Sequence, residues 1–151
     1  MKNKIGFLFL FSILHFLNGC NFGPARPAGF PDKLYPCELT ILQDGTPLQG
    51  ARVALSHQDE NKKNWGAAGI SDAEGVVRIY TYGKWQGAPA GTFKVTVIKQ
   101  SVEGTENKEI TYTLIDEKFA EPNTTPLELE IKGKTTQTFD VGAAIKKKIP
   151  N

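Results

Sequence analysis

Few residues of this chain are equipped for chemistry, and their spacing narrows what they could do. His15 lies inside an N-terminal apolar run, which leaves His57 as the only imidazole for acid-base or metal chemistry. Ser56, His57 and Asp59 put a nucleophile, a base and an acid close together, the set a hydrolase needs. Adjacent residues at a strand end point in different directions, so the competing reading is a polar loop running through Gln58-Asp59-Glu60 into Lys62-Lys63-Asn64. Asp72 and Glu74 beside Gly75 offer oxygens to a calcium ion. Calcium takes about six to eight ligands, and formation of a tight turn accounts for the same residues. No metal or other cofactor is expected.

Trp65, Tyr80, Tyr82 and Trp85 form the one suggestive constellation, a candidate ligand-binding group. With Val77 and Ile79 facing a core, Tyr80 and Tyr82 face the other way, and Trp85 follows in a Gly-flanked loop. Such rings stack on sugars or anchor a protein partner; the other reading makes Trp65 and Tyr82 inner or edge packing. No phosphate-binding glycine loop, Cys-x-x-Cys pair or nucleic-acid module is present in the sequence.

Residues 1–20, MKNKIGFLFLFSILHFLNGC, begin with two lysines and continue as a 13-residue apolar run from Ile5 to Leu17. The run is short for a membrane span, which needs about 20 residues, and has the anatomy of a signal peptide. With Lys2 and Lys4 removed, sixteen basic residues balance sixteen acidic ones. That balance removes any charge-based case for nucleic-acid binding. Leu17-Asn18-Gly19-Cys20 resembles the lipobox of bacterial lipoproteins, with Asn18 where Ala, Ser or Thr is commoner.

The lipobox resemblance implies cleavage before Cys20, a diacylglycerol on its thiol and often an acyl chain, such as palmitate, on the new amino group. Two or three chains anchor stably, each buried methylene contributing about 0.8 kcal/mol. The expected location is the bacterial cell envelope, lipid-anchored, at the outer membrane or facing the periplasm. Asn21 stands where some enteric-type bacteria use aspartate to retain lipoproteins at the inner membrane. Once Cys20 is lipidated, Cys37 has no intramolecular partner. Its alternation with Leu39 and Ile41 suggests a small buried core residue, against an intermolecular disulfide or redox role.

These groups must be held by strands. From Tyr35 onward apolar residues alternate with polar ones between turn signals: Cys37/Leu39/Ile41, Ala51/Val53/Leu55, Val77/Ile79/Thr81, Phe93/Val95/Val97, Leu127/Leu129/Ile131, then Phe139/Val141. Six or seven short strands with one apolar face each predict an all-β domain, two sheets packed as a β-sandwich. Gln100–Asn107 reads as a loop and Lys108–Ile115 as an extra edge strand. The expected organisation is a signal peptide at 1–19, Cys20 and a Pro/Gly-rich extended linker over 20–34, a sandwich over 35–142 and a basic tail over 143–151. At roughly 3 Å per residue, the linker from Asn21 to Pro31 would hold the domain about 30 Å from the lipid. Lys146-Lys147-Lys148 reads as solvated and frayed, or as attracted to anionic lipid or glycan.

Asp44-Gly45-Thr46-Pro47-Leu48-Gln49-Gly50-Ala51 resembles the D-G-x-P-L-x-G-A signature of carboxypeptidase regulatory-like domains, which share a transthyretin-like (prealbumin-type) sandwich. The turn at Ser71-Asp72-Ala73-Glu74-Gly75 and the hairpin segment from Gly87 to Val97 are similar to further motifs of that family. So is the stretch from Glu117 to Pro122 with Thr125-Pro126-Leu127, which matches small lipoproteins of this type. The resemblance implies a noncatalytic binding or structural accessory module, with an envelope protein or glycan as partner. An enzymatic relative in the wider fold, the transthyretin-like hydroxyisourate hydrolase, uses several histidines, an arginine and a Y-R-G-S ending. This chain has His57 alone and ends in IKKKIPN, so that activity is not expected.

Overall fold

In the computed structural model the described residues are 25–59, 61–105 and 108–150; the leader and the lipidation candidate Cys20 lie outside them. Strand β1 (Cys37–Gln43) is the axis of one sheet. It runs parallel to β12 (Thr135–Asp140) on one side, and on the other pairs antiparallel with β2 (Thr46–Pro47) and β5 (Val76–Arg78). The second sheet has six strands. Its order is β11 (Glu128–Ile131), β8 (Gly91–Ile98), β3 (Arg52–His57), β4 (Ala67–Ile70), β6 (Tyr80–Thr81) and β7 (Trp85–Gln86). A third, small sheet joins β9 (Gln100–Thr105), β10 (Lys108–Thr113) and β13 (Lys147–Lys148). Among the described residues a 3₁₀ turn covers Glu117–Phe119.

The all-β sandwich expected from the alternation is what forms. Leu39 and Val77 sit in register on the first sheet, and Val53 with Val97 and Leu55 with Val95 on the second. All six are at most 2% exposed, the opposed apolar faces meeting in one core that continues through Ile41, Phe93, Leu129 and Ile131. Each such burial contributes about 1.5–3 kcal/mol relative to an exposed side chain. The chain changes sheets between β5 and β6 across one residue, Ile79, which is fully buried; its N–H donates to Cys37 O and its carbonyl accepts from Gly87 N.

Two expectations give way. Gln100–Thr105 is a strand, not a loop, paired with β10 from Gln100↔Thr113 to Thr105↔Lys108. Its side chains are almost all exposed, so it forms by ladder pairing rather than burial and leaves no apolar alternation to read. The tail is also docked. Lys147 and Lys148 pair with Thr113 and Tyr112, Lys146 Nζ lies 2.6 Å from Glu103, and Lys147 Nζ lies 2.7 Å from Glu117. The three lysines are solvent-exposed as expected but not frayed, and their partners, 43 and 30 residues away in sequence, leave no local sign of the pairing.

Candidate functional site

The aromatic residues converge at one end of the sandwich, with one addition and one subtraction. The sharp return from β6 to β7 brings Tyr82 and Trp85 together: Lys84 N–H donates to Thr81 O, and Tyr82 (φ 56°) and Gly83 (φ 64°) adopt left-handed backbone. A tyrosine there costs about 1–2 kcal/mol, which its ring contacts offset. Trp65 enters just before β4 and is 8% exposed. Its ring centroid is 6.0 Å from that of Tyr82, and those of Tyr82 and Trp85 are 6.3 Å apart, edge-on.

The ring that joins them is Phe30, from the segment expected to be linker. Its centroid is 5.2 Å from Trp65 in a T-shaped pair, 4.6 Å from Trp85 and 6.5 Å from Tyr82, and it is 8% exposed. A turn seats it: Phe30 N–H donates to Pro27 O, with Gly29 at φ 73°, a conformation a Cβ would oppose. Arg26 lies over the Phe30 ring at 5.3 Å and donates to the carbonyls of Pro31 and Asp32 at 3.3 and 3.0 Å. The folded body therefore takes in part of the 20–34 segment. A lone phenylalanine among prolines and glycines has no periodicity, so only its partners reveal it.

Tyr80 is not in the cluster. It pairs with Ala68 on the outer face of the six-stranded sheet, 37% exposed, and Thr81 between it and Tyr82 is fully buried, donating to Gly87 O. Trp65 is packing, while Tyr82 is 51% exposed and Trp85 partly so, giving the cluster an open side.

Beside the rings lies a groove of about 310 Å³ between the Ala28–Pro31 turn, the end of β3 at His57, Lys62 to Trp65, and Pro89-Ala90. Lys63 Nζ sits 4.1 Å from the Trp65 ring centre, a cation over a π face. His57 packs against Phe93 with ring centroids 4.9 Å apart and the rings tilted by 57°. Its Nδ1 accepts the Asp59 backbone N–H at 3.2 Å, which places the ring proton on Nε2. Nε2 is buried without a partner, and a Cβ on Gly91 would lie 2.5 Å from it. Burial first, then the charge of Lys62, hold the His57 pKa below its ordinary value, against a smaller opposite pull from Asp59. The nitrogen that a catalytic base would aim at a serine is thus turned against the Gly91 backbone, and Nδ1 meets an amide rather than an orienting carboxylate.

The other candidates have structural occupations. Asp72 Oδ1 accepts from Glu74 N at 3.1 Å and Val76 N at 2.8 Å, closing the turn into β5. No group of three or more His, Cys, Asp and Glu is placed to hold a metal among the described residues. Cys37 is a free thiol, 4% exposed, and burial pushes its pKa up to about 11, leaving it protonated and unreactive.

The chain matches no protein-family model and no curated protein. Among solved structures it is similar to the major pilin subunit of Bacillus cereus, at 18% identity and a TM-score of 0.43, over 76% of this chain and 30% of that one. It is also similar to a 9R-lipoxygenase from Cyanothece, at 19% identity and a TM-score of 0.38, over 73% of this chain and 16% of that one. The chain thus spans less than a third of either protein.

Proposed function

We propose that the protein is a lipid-anchored module of the bacterial cell envelope, cleaved before and acylated on Cys20, that works by noncatalytic binding or structural support. The observation that carries this reading is the placement of Cys20: it closely follows an apolar run and stands 17 residues before β1 at Cys37, the first strand of an all-β body with its own continuous core. The carboxypeptidase regulatory-like assignment belongs to the same proposal. What supports it is that its motif residues lie where the backbone turns, with Gly45 at φ 73°, Gly50 at φ 70° and Gly75 at φ 75°. A noncatalytic role is supported by His57, whose two nitrogens are engaged by the fold or packed against it.

Crosslinking of intact cells that carry the tagged chain, followed by mass spectrometry, tests this role. One or two recurrent envelope proteins are expected. Recovery of the protein alone would contradict an assembly role. A glycan-binding reading is favoured by one observation, the open side of Tyr82 and Trp85. Glycan affinity unchanged in Trp85→Ala removes it.

A further inference from the structure

The proposed lipidation of Cys20 fixes more than attachment, because the chain reaches the domain by way of the aromatic end. Only six peptide steps separate Cys20 from Arg26, the first residue with a described contact to this end. Whatever their conformation, six steps span at most about 22 Å. From Arg26 onward the path belongs to the folded body: Arg26 covers the Phe30 ring, Ala28 and Gly29 wall the groove, and Phe30 is held by Trp65 and Trp85. The distance from lipid to this end is therefore short of the roughly 30 Å that a free linker would allow.

The chemistry of that end suits what it must face. Tyr82 and Trp85 present amphipathic rings outward, the residue types that settle at the headgroup level of bilayers. The segments that carry the rings also carry Arg26, Lys33, Lys62, Lys63 and Lys84, all exposed, with Arg26 over Phe30 and Lys63 over Trp65. By sequence, Asp32, Asp59 and Glu60 oppose these five cations, leaving an excess of positive charge in segments 25–35, 57–66 and 80–90. A basic residue near an anionic bilayer contributes about 1 kcal/mol, and an acyl anchor adds to such a patch.

We infer that the end built from Phe30, Trp65, Tyr82 and Trp85 is a membrane-docking surface, seated on the headgroup layer of an anionic phospholipid bilayer and held there by the lipid on Cys20. The inference rests on the lipoprotein reading. It orients the molecule: β1 leads away from this end, seven residues or about 23 Å, and displays the Asp44-Gly45 and Asp72–Gly75 turns outward. It also takes the open rings away from a soluble glycan and leaves partner binding to the far end.

Both tryptophans of the chain lie in this surface, so their emission reports on it. The full chain, extracted from membranes, is first checked by mass spectrometry for diacylglycerol on Cys20. It is then reconstituted into phosphatidylglycerol vesicles with or without bromine on the upper acyl chains. The expected result is a loss of tryptophan emission in the brominated vesicles that is smaller for the Lys62→Glu, Lys63→Glu double variant, both positions being exposed. Equal emission from lipidated protein in the two vesicles overturns the docking surface while the anchor stands, and leaves the rings free for a glycan. Quenching that the charge reversal leaves unchanged assigns the approach to the anchor alone and overturns it too. A bare Cys20 thiol removes the lipoprotein reading itself, and the inference with it.

Discussion

The two ends of the sandwich are held by different forces. At the end where the chain arrives, four rings drawn from three separated segments pack on one another, beside backbone ties between Tyr35 and Ala88 and from Tyr82 N–H to Gly66 O. At the opposite end the turns are tied by directed polar contacts. Asp140 accepts three backbone N–H groups, from Asp44 at 3.1 Å, Gly45 at 2.8 Å and Gly142 at 2.8 Å. Gln43 donates to Leu114 O, Lys99 donates to Gln49 O, and the β9–β10–β13 sheet extends the network. Ring packing is non-directional and leaves an apolar surface open, whereas satisfied backbone amides make a rigid frame. The difference suggests a contact surface at one end and a scaffold at the other.

The largest effects are expected at the aromatic end. Trp65→Ala should cost about 4 kcal/mol and Phe30→Ala about 3 kcal/mol in urea unfolding, as for other large-to-small changes at packed aromatic positions. The two variants differ in reach. In a Cys20→Ser background, the buried Cys37 thiol reports opening of the sandwich. Trp65→Ala should speed its labelling by a thiol reagent, whereas Phe30→Ala should release the backbone around Lys33 and speed tryptic cleavage after it, leaving that labelling slow. Fast Cys37 labelling in Phe30→Ala would mean that the two ends are not separable.

Acid should separate the ends next. Burial holds the His57 pKa down, so the stability its neutral form contributes is complete above about pH 6.5 and is lost as pH falls from there through the folded value. The bonds from Gly142 first, then Gly45, hold the Asp140 carboxyl below the usual carboxylate range. Its contribution is complete above about pH 4 and disappears as pH falls further. Unfolding followed against pH should therefore show a first decline that His57→Gln removes and a later one that Asp140→Asn removes, with Asp140→Asn already less stable at pH 7. A single decline insensitive to both would deny the assignment.

The smallest effect concerns Tyr82. Glycine there relieves a strained backbone and deletes a half-exposed ring, two opposing changes of similar size, so Tyr82→Gly should stay within about 1 kcal/mol of the parent. If that variant also loses the vesicle quenching, the ring serves the surface rather than the fold.

What was legible in the sequence follows the same division. The sandwich core is written in period two because each strand from β1 to β12 that faces the core must alternate, and Leu39, Val53, Val95 and Leu129 were readable on that ground alone. The turns at Asp44-Gly45 and Asp72–Gly75 were readable because their chemistry is local. Contacts between distant segments were not. Phe30 looked like linker, β9 had no buried face to reveal it, and the lysines of β13 met glutamates far away in sequence. Of the four aromatic candidates, Trp65, Tyr82 and Trp85 do converge, whereas Tyr80, which strand parity sets on the same face as Tyr82, lies outside the cluster. Parity fails where the left-handed backbone at Tyr82 turns the chain.

The placement of Cys20 carries the account, and labelled palmitate tests it most directly. Cells fed with the label and expressing the full chain should yield a labelled, membrane-associated protein whose N-terminal peptide begins at Cys20, and Cys20→Ser should lose both label and membrane association. An unlabelled chain, or a Cys20→Ser variant that stays on the membrane, would contradict it.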